Sequence, residues 1–483
     1  MNLIELLKPW VQNIPNDCEI TGLQNNSRLI NRGQLFIAYP GAQVDGRNFV
    51  EQACKAGANA VLYESVNCPS LSYAGPAICV PIPQLEKKLA EIASRFYRQP
   101  TQYLTFTGIT GTNGKTTIAY QLAQAYELLG QSAAYIGTLG QGKPSLLEPL
   151  NNTTPDALIL QSLFHHYHEV GIKQVCMEVS SHALSQNRVD QIPFQQAIFT
   201  NLTHDHLDYH QTMDAYAAAK SLLFEKSSLR WAVINQDDSY GAVMCAKIPR
   251  SCRVITYGIE NNADVQAHSW KVSLGGTAFT IKSPWGTYAL KIKALGFFNL
   301  YNALAIFTSL VLAGYDPKEV APIMERLKPA PGRMEVVFQD PTVIVDYAHT
   351  PDALENVLAT LSKIKTGRIF LVFGCGGDRD RLKRPIMGEI ASRYADLIFL
   401  TSDNPRHEHP EQILADIAEG IPQSTTIERI VDREAAIVRA VTLAKKNDLI
   451  LIAGKGHETY QQIGEQRISF SDQEVIQRLT YVL

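Results

Sequence analysis

The sequence predicts an α/β protein with three domains, and three observations support this prediction. Apolar strand-like segments alternate with helical patterns along most of the 483 residues, which is typical of parallel sheets covered by helices. A chain of this length is also too long for one ordinary core. The segment Lys328–Gly332 contains two prolines and a glycine, so it predicts a linker. We therefore expect domains at residues 1–98, 99–330 and 331–483.

Composition excludes several classes of protein. The 44 basic and 47 acidic residues nearly balance, so a broad nucleic-acid-binding surface is not expected. No apolar run approaches the ~20 residues of a membrane-spanning helix, and the first residues lack the basic and apolar regions of a secretory signal. The eight cysteines are scattered without a CxxC pair, which is typical of free thiols in a reducing compartment. We expect a cytoplasmic monomer with no nucleic-acid partner and no membrane span.

The first domain is predicted to be of mixed α/β type. Short apolar strands are expected at Leu35–Ala38 and Ala60–Tyr63, and a helix is expected near Gln84–Tyr97. Its motifs are less distinctive than those of the other two domains, so taken alone they indicate a fold but no chemistry.

The central domain is predicted to hold a mostly parallel sheet of the P-loop type. The strand Leu104–Ile109 enters the segment Thr-Gly-Thr-Asn-Gly-Lys-Thr-Thr at 110–117, and a helical pattern leaves it. In such a loop the glycines turn backbone N–H groups toward an anion, and the helix dipole adds partial positive charge. We expect Lys115 to reach the β- and γ-phosphates of a nucleotide and Thr116 to hold Mg²⁺. Ile109 stands where the usual pattern has its first glycine, so a chance glycine-rich turn is the alternative.

Further strands of the central sheet are expected at Gln174–Val179, Gln196–Asn201 and Trp231–Asn235. A strand-rich insertion at Asp264–Ile292 precedes a helix from about 299 to 313. Loops at the carboxyl ends of parallel strands meet at one edge of a sheet, and this edge is where ligands bind.

Two of these strands end in residues that suit a metal ion. Glu178 ends the first, and a carboxylate beside a phosphate loop suits Mg²⁺, although a helix cap or a surface charge is the ordinary alternative. The segment Thr200–His210 contains three histidines and two aspartates. Its spacing matches no common zinc pattern, and a solvated turn is another alternative, but we favour a catalytic metal site. Lys220 follows Ala217–Ala219 on a predicted helix, where sequence alone favours an exposed lysine.

The third domain is predicted to be a second, Rossmann-like α/β sheet. Polar, glycine-containing loops follow two of its strands, at Gly374–Arg381 and Gly454–Glu458. The guanidinium groups of the first loop suit forked contacts with carboxylate or phosphate. Either loop could be an ordinary turn, but several charged strand-end loops in one sheet favour a polar substrate. The strands are expected at Val343–Asp346, Arg368–Phe373, Leu397–Leu400 and Asp448–Ala453.

Together these segments resemble the Mur ligases of peptidoglycan synthesis, over essentially the whole chain and in the same order. In the first domain, Ser27-Arg28 and Asp45-Gly-Arg47 are similar to the family's uridine-binding part, although Asn26 replaces the usual acid. The other segments that carry the resemblance are the phosphate loop, Thr153-Thr-Pro155, Glu178 with Ser180-Ser-His182, Arg188, His206, Lys220, Asn299 with Asn302, Gly332-Arg-Met-Glu335, Asp346-Tyr-Ala-His349 and Gly374–Arg381.

The resemblance implies an ATP-dependent ligase that forms an amide bond and releases ADP and phosphate. The implied acceptor is UDP-N-acetylmuramoyl-L-Ala-D-Glu, whose D-Glu γ-carboxylate would become an acyl phosphate. The implied amine is meso-diaminopimelate, because Asp403-Asn-Pro-Arg406 followed by Glu408 is similar to the motif of diaminopimelate-adding members. A guanidinium can bind the carboxylate that diaminopimelate has and lysine lacks, and without that carboxylate it disfavours lysine's ammonium.

Four alternative functions stay open beside this one. They are the same ligation with L-lysine, a folylpolyglutamate-synthetase-like ligase, a switch or motor that only hydrolyses ATP, and a non-catalytic binding protein for muramoyl peptides. The presence of Lys115 together with Glu178, His206 and Lys220 favours an enzyme over the last of these.

The resemblance also implies residues for each ligand. Those for ATP are Gly111, Thr112, Asn113, Gly114, Lys115, Thr116, Thr117, Asn299, Asn302, Arg333 and Asp346. Those for the UDP-muramoyl peptide are Ser27, Arg28, Thr153, Thr154, Ser180, Gln186, Arg188 and Lys220. Those for diaminopimelate are Arg379, Asp403, Asn404, Arg406, Gly454 and Glu458. Those for catalysis are Lys115, Glu178, His206, Lys220, Arg333 and His349. Those for Mg²⁺ are Thr116, Glu178, His206 and Lys220, the last as a carbamate formed with carbon dioxide.

Overall fold

The structure, a computed structural model, describes residues 1–41, 44–68, 71 and 75–480, and their strands form sheets of four, eleven, six and two strands. The three larger sheets follow one another along the chain, and helices pack against them. The predicted three-domain α/β architecture is confirmed. The domain limits at residues 98 and 330 stay predictions.

The first sheet is parallel, with its strands in chain order. Its strands are β1 (Leu23–Gln24), β2 (Leu35–Ala38), β3 (Ala60–Glu64) and β4 (Ile78–Ile82). Its helices are α1 (Leu3–Leu7), α2 (Val50–Lys55) and α3 (Leu85–Phe96), with 3₁₀ turns at Ser27–Leu29, Gly46–Phe49 and Pro100–Tyr103. Buried Leu85, Leu89 and Ile92 recur at helical spacing on α3, which is why this segment forms a helix with one apolar face. Both predicted strands and the predicted helix are confirmed.

The central sheet has the order β15-β14-β13-β12-β11-β10-β5-β9-β6-β7-β8. Its strands are β5 (Thr105–Thr110), β6 (Ala133–Gly137), β7 (Gly140–Lys143), β8 (Leu146–Glu148), β9 (Gln174–Glu178), β10 (Phe194–Phe199), β11 (Trp231–Asn235), β12 (Arg253–Gly258), β13 (Val265–Ser273), β14 (Gly276–Ser283) and β15 (Gly286–Ile292). Its helices are α4 (Lys115–Leu128), α5 (Ala157–Glu169), α6 (Ser181–Ser185), α7 (Leu207–His210), α8 (Met213–Ser221), α9 (Gly241–Cys245), α10 (Phe297–Leu312) and α11 (Pro317–Arg326).

The strand that enters the phosphate loop lies between two strands that carry predicted site residues. β5 pairs in parallel with β9 on one side and with β10 on the other. The carboxyl ends of all three strands therefore meet at one edge, as predicted. The insertion at 264–292 forms the antiparallel strands β13, β14 and β15, which confirms its strand-rich prediction.

The third sheet has the order β16-β17-β21-β18-β19-β20 and is parallel except at its first strand. Its strands are β16 (Glu335–Gln339), β17 (Thr342–Asp346), β18 (Ile369–Phe373), β19 (Leu397–Leu400), β20 (Ile427–Arg429) and β21 (Leu449–Ala453), beside the hairpin β22 (Tyr460–Ile463) and β23 (Gln466–Ser469). Its helices are α12 (Pro351–Ile364), α13 (Lys383–Tyr394), α14 (Pro410–Ala418), α15 (Arg433–Leu443) and α16 (Asp472–Thr480). Lys328–Gly332 lies outside helices and strands, as its prolines and glycine predicted, because α11 ends at Arg326 and the next element starts at Glu335.

A search of the described residues finds no helix with the length and apolar character needed to span a membrane.

Candidate active site

The loop between β5 and α4 needs its glycines. Gly111 has φ +149° and Gly114 has φ +88°, and a side chain at Gly111 would collide with the Thr200 hydroxyl. Gly114 immediately precedes α4, so the loop leads directly into a helix N-terminus. This is the strand–loop–helix arrangement that binds phosphate.

The end of β10 holds the phosphate loop in place. The backbone N–H of Thr112 donates to the Asn201 carbonyl at 2.8 Å, and the N–H of Asn113 donates to Asn201 Oδ1 at 2.9 Å. The Thr200 hydroxyl donates to the Asn113 carbonyl at 2.6 Å. These contacts use only backbone groups of the loop, so its shape is set before a ligand arrives.

The ammonium of Lys115 rests on its own loop. Its Nζ donates to the carbonyls of Gly111 and Thr112, both at 2.8 Å. Burial lowers the pKa of Lys115, and the charges of Glu178 and Asp205 oppose that shift. A bound phosphate would offer this amine a charged acceptor in place of the carbonyls.

Lys220 is buried, which overturns the exposed position expected from its sequence. The residue is 1% exposed, and its Nζ donates to the Gly111 carbonyl at 2.8 Å. The same Nζ lies 4.4 Å from the centre of the Tyr216 ring. Burial, and then the nearby charge of Lys115, hold the pKa of Lys220 well below its usual range. Two amines therefore share one carbonyl oxygen.

Glu178 is a buried carboxylate at the end of β9, so the alternative of a surface charge is wrong. It is 1% exposed. Its Oε1 accepts hydrogen bonds from the Tyr135 hydroxyl at 2.6 Å and the Thr138 N–H at 2.9 Å. Its Oε2 accepts a longer one from the Thr138 hydroxyl at 3.3 Å. These donors fix the carboxylate beside the phosphate loop.

His206 stands at the start of α7 in a left-handed conformation with φ +54°. Its ring packs edge-on against His182 at 5.1 Å, and its Nε2 lies 3.5 Å from the Asp205 carboxylate. Partial burial lowers the pKa of His206 to about 4, although Asp205 acts in the opposite direction. The imidazole is therefore neutral near pH 7 and able to bind a metal.

The donor set around the loop fits Mg²⁺. The Glu178 carboxylate, the Thr116 hydroxyl and the His206 ring line the same cleft, and oxygen-rich sites completed by substrate phosphates suit this ion. Across the described residues, no group of three or more His, Cys, Asp or Glu side chains is placed to hold a metal ion. Magnesium binding would therefore need further donors, such as Lys220 as a carbamate and phosphate oxygens.

The cleft has a volume of about 630 Å³ and lies between the central and third sheets. Predicted residues from both sides line it. They are Thr112, Asn113, Gly114, Lys115, Thr116, Thr117, Thr153, Glu178, Ser180, His206, Lys220, Asn302, Arg333, Asp346 and His349.

Asn302 is placed at one side of the phosphate loop, and Asn299 supports it. The Asn302 amide donates to Asn299 Oδ1 at 2.8 Å, and the Asn299 amide donates to the Leu295 carbonyl at 2.6 Å. The rings of Trp270 and Phe297, 5.7 Å apart, line the same cleft. Sequence reasoning missed these aromatics, although their position within and just after the insertion was a signal.

Arg333 crosses from the linker to the phosphate loop. Its Nη2 donates to the Thr116 hydroxyl at 3.3 Å, and its guanidinium carbon lies 4.3 Å above the Tyr347 ring. Its Nε is buried without a hydrogen-bond partner in the described structure. This arginine is thus placed to meet an anion held by the loop.

Asp346 and His349 are placed differently from each other. The Asp346 carboxylate accepts the N–H groups of Met334 and Ala348, both at 2.7 Å. Both of its oxygens are therefore engaged, and it holds the backbone beside Arg333 in place. His349 is exposed at the cleft, with Nδ1 2.9 Å from the Tyr347 carbonyl oxygen.

The residues predicted for the muramoyl peptide form a network around Thr154. Its hydroxyl donates to the Glu178 carbonyl at 2.9 Å and accepts the N–H of Ser180 at 3.1 Å. Arg188 donates to the Thr154 carbonyl at 2.8 Å and to Gln186 Oε1 at 3.1 Å. This network adjoins Glu178, so a bound acceptor would lie next to the phosphate loop.

Thr153 extends that network, whereas the predicted uridine contacts lie elsewhere. The Thr153 hydroxyl is 3.1 Å from the Thr138 hydroxyl. Ser27 is buried and bonds Gln52 at 3.0 Å, and Arg28 is exposed beside it in the first domain. The structure does not bring Ser27 and Arg28 into the central cleft.

The residues predicted for diaminopimelate form a second cluster. Their loops follow β18, β19 and β21, which are neighbours in the third sheet. The Asn404 amide donates to Glu458 Oε2 at 2.9 Å, and the Asp403 carboxylate packs closely against Gly454, whose φ is +110°. Arg406 donates to the Gly377 carbonyl at 2.6 Å. This cluster is separate from the lining of the central cleft.

Arg379 is exposed and lies beside the same loop as Arg406. A Cβ at Gly376 would be 3.7 Å from Arg379 Cγ and 2.9 Å from Arg406 Nη1. The side chains of two arginines therefore flank one glycine. Sequence reasoning missed Lys455 and Arg384, which are buried among these loops; for Lys455 the Gly-Lys-Gly-His-Glu motif was a signal.

Known proteins match this chain over most of its length. Three family models match in order: the "Mur ligase family, catalytic domain" at 19–97, the "Mur ligase middle domain" at 109–310 and the "Mur ligase, glutamate ligase domain" at 332–456. A UDP-N-acetylmuramoyl-L-alanyl-D-glutamate–2,6-diaminopimelate ligase of Chromobacterium violaceum is 44% identical, over 94% of this chain and 92% of its own. The ligase of the same name from Geobacillus thermodenitrificans is 43% identical, over 96% of each chain.

Solved structures of ligases are also similar to this chain over most of its length. A structure of a UDP-N-acetylmuramoyl-L-alanyl-D-glutamate–2,6-diaminopimelate ligase superposes with a TM-score of 0.70 at 38% identity, over 96% of this chain and 95% of its own. Thermotoga maritima MurF in complex with ADP has a TM-score of 0.67 at 19% identity, over 90% of this chain and 94% of its own, and shares the fold. Because similarity to these ligases extends through all three sheets, the chain belongs to the Mur ligase family.

Proposed function

We propose that the protein is an ATP-dependent ligase of cytoplasmic peptidoglycan precursor synthesis. It joins meso-2,6-diaminopimelate to the D-Glu γ-carboxylate of UDP-N-acetylmuramoyl-L-Ala-D-Glu and releases ADP and phosphate. The observation that carries this proposal is the convergence of the phosphate loop, buried Glu178 and buried Lys220 in one cleft. The names of relatives at 42–44% identity over most of the chain support it.

The chemistry follows from the poor reactivity of a carboxylate. Its oxygen is a poor leaving group, so an amine does not displace it. Transfer of the γ-phosphoryl group to the carboxylate makes an acyl phosphate, the amine attacks the carbonyl carbon, and phosphate departs with the bonding electron pair. The protein contributes mainly positioning and neutralisation of charge.

Charge neutralisation falls to residues on both sides of the cleft. Lys115 moves from the loop carbonyls to the β- and γ-phosphates, and the N–H groups at the start of α4 face the same anion. Arg333 approaches from the linker side, where it already donates to Thr116. Thr116, Glu178 and His206 would hold Mg²⁺, which supplies further charge neutralisation on the triphosphate.

Lys220 is proposed to act as a carbamate. Burial holds the pKa of its amine well below the usual range, which favours the neutral amine whose lone pair attacks carbon dioxide. The new N–C bond forms as a C–O π pair moves to oxygen, and the nitrogen loses one proton to water. The resulting anion adds an oxygen donor and places a negative charge beside the Lys115 ammonium.

The two amide-forming substrates are proposed to bind on opposite domains. Thr153, Thr154, Ser180 and Arg188 hold the acceptor next to Glu178. The extra carboxylate of diaminopimelate meets Arg406 in the third domain, a forked contact that lysine cannot make. We keep residues 1–98 as the UDP-binding domain, 99–330 as the ATP-binding domain and 331–483 as the amino-acid-binding domain.

The direct test measures phosphate release with ATP, Mg²⁺ and UDP-N-acetylmuramoyl-L-Ala-D-Glu. One reaction receives meso-diaminopimelate and the other L-lysine. Release with diaminopimelate alone, with a product of matching mass, is expected. Release with lysine alone would retain the ligase but refute the selectivity assigned to Arg406. Release with neither, from folded protein that binds ATP, would refute the proposal.

A further inference from the structure

Lys455 is a buried cation of the amino-acid cluster. It is 0% exposed and follows β21 directly. Its Nζ donates to Glu458 Oε2 at 2.8 Å and to Asn404 Oδ1 at 3.2 Å, and it lies 5.5 Å from the centre of the Tyr460 ring. A buried ammonium is costly unless it is paired and hydrogen-bonded. Here both hydrogen-bond acceptors belong to residues that the family resemblance assigns to diaminopimelate.

The hydrogen bonds of Lys455 fix the orientation of the Asn404 amide. Asn404 Oδ1 also accepts the Gln462 N–H at 2.9 Å. With two donors at its oxygen, Asn404 must direct its NH₂ group to Glu458 Oε2, which it reaches at 2.9 Å. In the described part of the chain, the donors that reach Glu458 thus converge on Oε2. Oε1 is left to accept a substrate ammonium.

The positive charge of Lys455 also contributes to the balance of charges in the amino-acid pocket. Asp403 and Glu458 are negative groups of this cluster, and Arg379, Arg406 and Lys455 are positive ones. The nearby guanidinium groups of Arg384 and Arg433 are each paired with other carboxylates. The far end of diaminopimelate carries an ammonium and a carboxylate, whereas the far end of lysine carries an ammonium alone. A third cation therefore favours the ligand that brings a carboxylate and disfavours the one that does not.

We propose that Lys455 is a specificity-determining positioning residue, which holds Asn404 and Glu458 in their binding geometry and biases the pocket toward a diamino acid with a carboxylate at its far end. This inference rests on the proposed function. It differs from the role given to Arg406, because Lys455 acts through Asn404, Glu458 and its charge rather than by touching the substrate.

The test compares Lys455→Met with the wild-type protein. Steady-state kinetics give kcat/KM for meso-diaminopimelate and for L-lysine, and KM for ATP. We expect the diaminopimelate-to-lysine ratio of kcat/KM to fall about tenfold or more, because removing one member of a buried charge pair has effects of this order. The KM for ATP is expected to stay unchanged, since Lys455 lies outside the nucleotide cleft.

Arg467→Met is the matched control. Its guanidinium carbon lies 4.6 Å from the centre of the same Tyr460 ring, but the residue is exposed on β23. It removes one positive charge without touching Asn404 or Glu458. The ratio is expected to stay at the wild-type value.

Lys455→Gln separates charge from hydrogen bonding and replaces Lys455→Met if that variant fails to fold. Its amide can still donate to Asn404 or Glu458, so a fall in the ratio in this variant would support the charge argument. An unchanged ratio in either folded variant, or an equal loss with both amino acids, would overturn the inference. Failure of the proposed function appears differently, as a wild-type protein that ligates neither amino acid, and it would overturn both.

Discussion

The central cleft and the amino-acid cluster are both built at the carboxyl ends of parallel strands, but their buried basic side chains have different hydrogen-bond partners. In the cleft, Lys115 and Lys220 donate to backbone carbonyls in the described structure. In the cluster, Lys455 is paired with Glu458, and Arg384 with Glu408 and Asp416. Groups held by carbonyls, including Arg406 on the Gly377 carbonyl in the cluster, can exchange them for substrate. Cations held by carboxylates instead fix the shape of a selective pocket.

Lys115→Ala is expected to have the largest effect, because it removes the ammonium group proposed to bind the β- and γ-phosphates. Turnover should fall by about a thousandfold or more, while the free energy of unfolding changes little, since the lysine holds only its own loop. Phosphate-release assays and urea unfolding measure the two quantities. Exposed Lys143→Ala is the control, and normal turnover in Lys115→Ala would refute the assignment of the loop.

Lys220→Ala tests the second buried amine of the cleft. We expect a loss of turnover of about a hundredfold or more, because the proposed carbamate holds the metal between nucleotide and acceptor. The wild-type protein should also show a carbamate signal in nuclear magnetic resonance spectra recorded with ¹³C-labelled bicarbonate. Lys226→Ala, which removes a lysine paired with Asp190 at 3.1 Å, should retain both. An unmodified Lys220 at saturating bicarbonate would contradict the carbamate.

Arg406→Ala probes the cluster and should leave the cleft unaffected. We expect kcat/KM for diaminopimelate to fall about a hundredfold, with the KM for ATP unchanged. Arg429→Ala, an exposed arginine at the end of β20, is the control. Equal affinity for diaminopimelate before and after the Arg406 change would show that the carboxylate contact does not exist.

Glu408→Gln tests how much the ion pair between Arg384 and Glu408 contributes to the free energy of unfolding. Hydrogen bonds from Arg384 lower the pKa of Glu408 from 4.5 to about 2. Because the folded pKa lies below the unfolded one, the pair stabilises the fold fully above about pH 4.5, and this contribution is lost as the pH falls toward 2. The variant should lose about 2 kcal/mol at pH 7.

The difference between wild type and Glu408→Gln should shrink below about pH 4.5, as urea unfolding at several pH values would measure. Glu411→Gln, at an exposed pair with His409, is the control. A difference independent of pH would exclude the carboxylate as its source.

The sequence predicted the features that depend on the local pattern of apolar and polar residues. Strand ends were located within one or two residues, and the rule for parallel sheets correctly placed Glu178 beside the phosphate loop. It could not predict that Lys220 is buried, because that depends on helix α8 lying against a loop more than one hundred residues earlier in the chain. Tyr135 and Thr138, which hold Glu178, belong to no motif. Local patterns did not show that backbone N–H groups bond to both oxygens of Asp346, and its contact with the nucleotide stays a prediction.

The carbonyl of Gly111 accepts from both Lys115 and Lys220, and this makes the two lysines partners in a thermodynamic linkage. Whatever draws one amine away alters the free energy of the other. In the proposed function, triphosphate attracts Lys115 and carbon dioxide consumes the amine of Lys220. By reciprocity, each ligand would then change the apparent affinity of the other by the same factor, and the concentration of carbon dioxide would affect nucleotide binding.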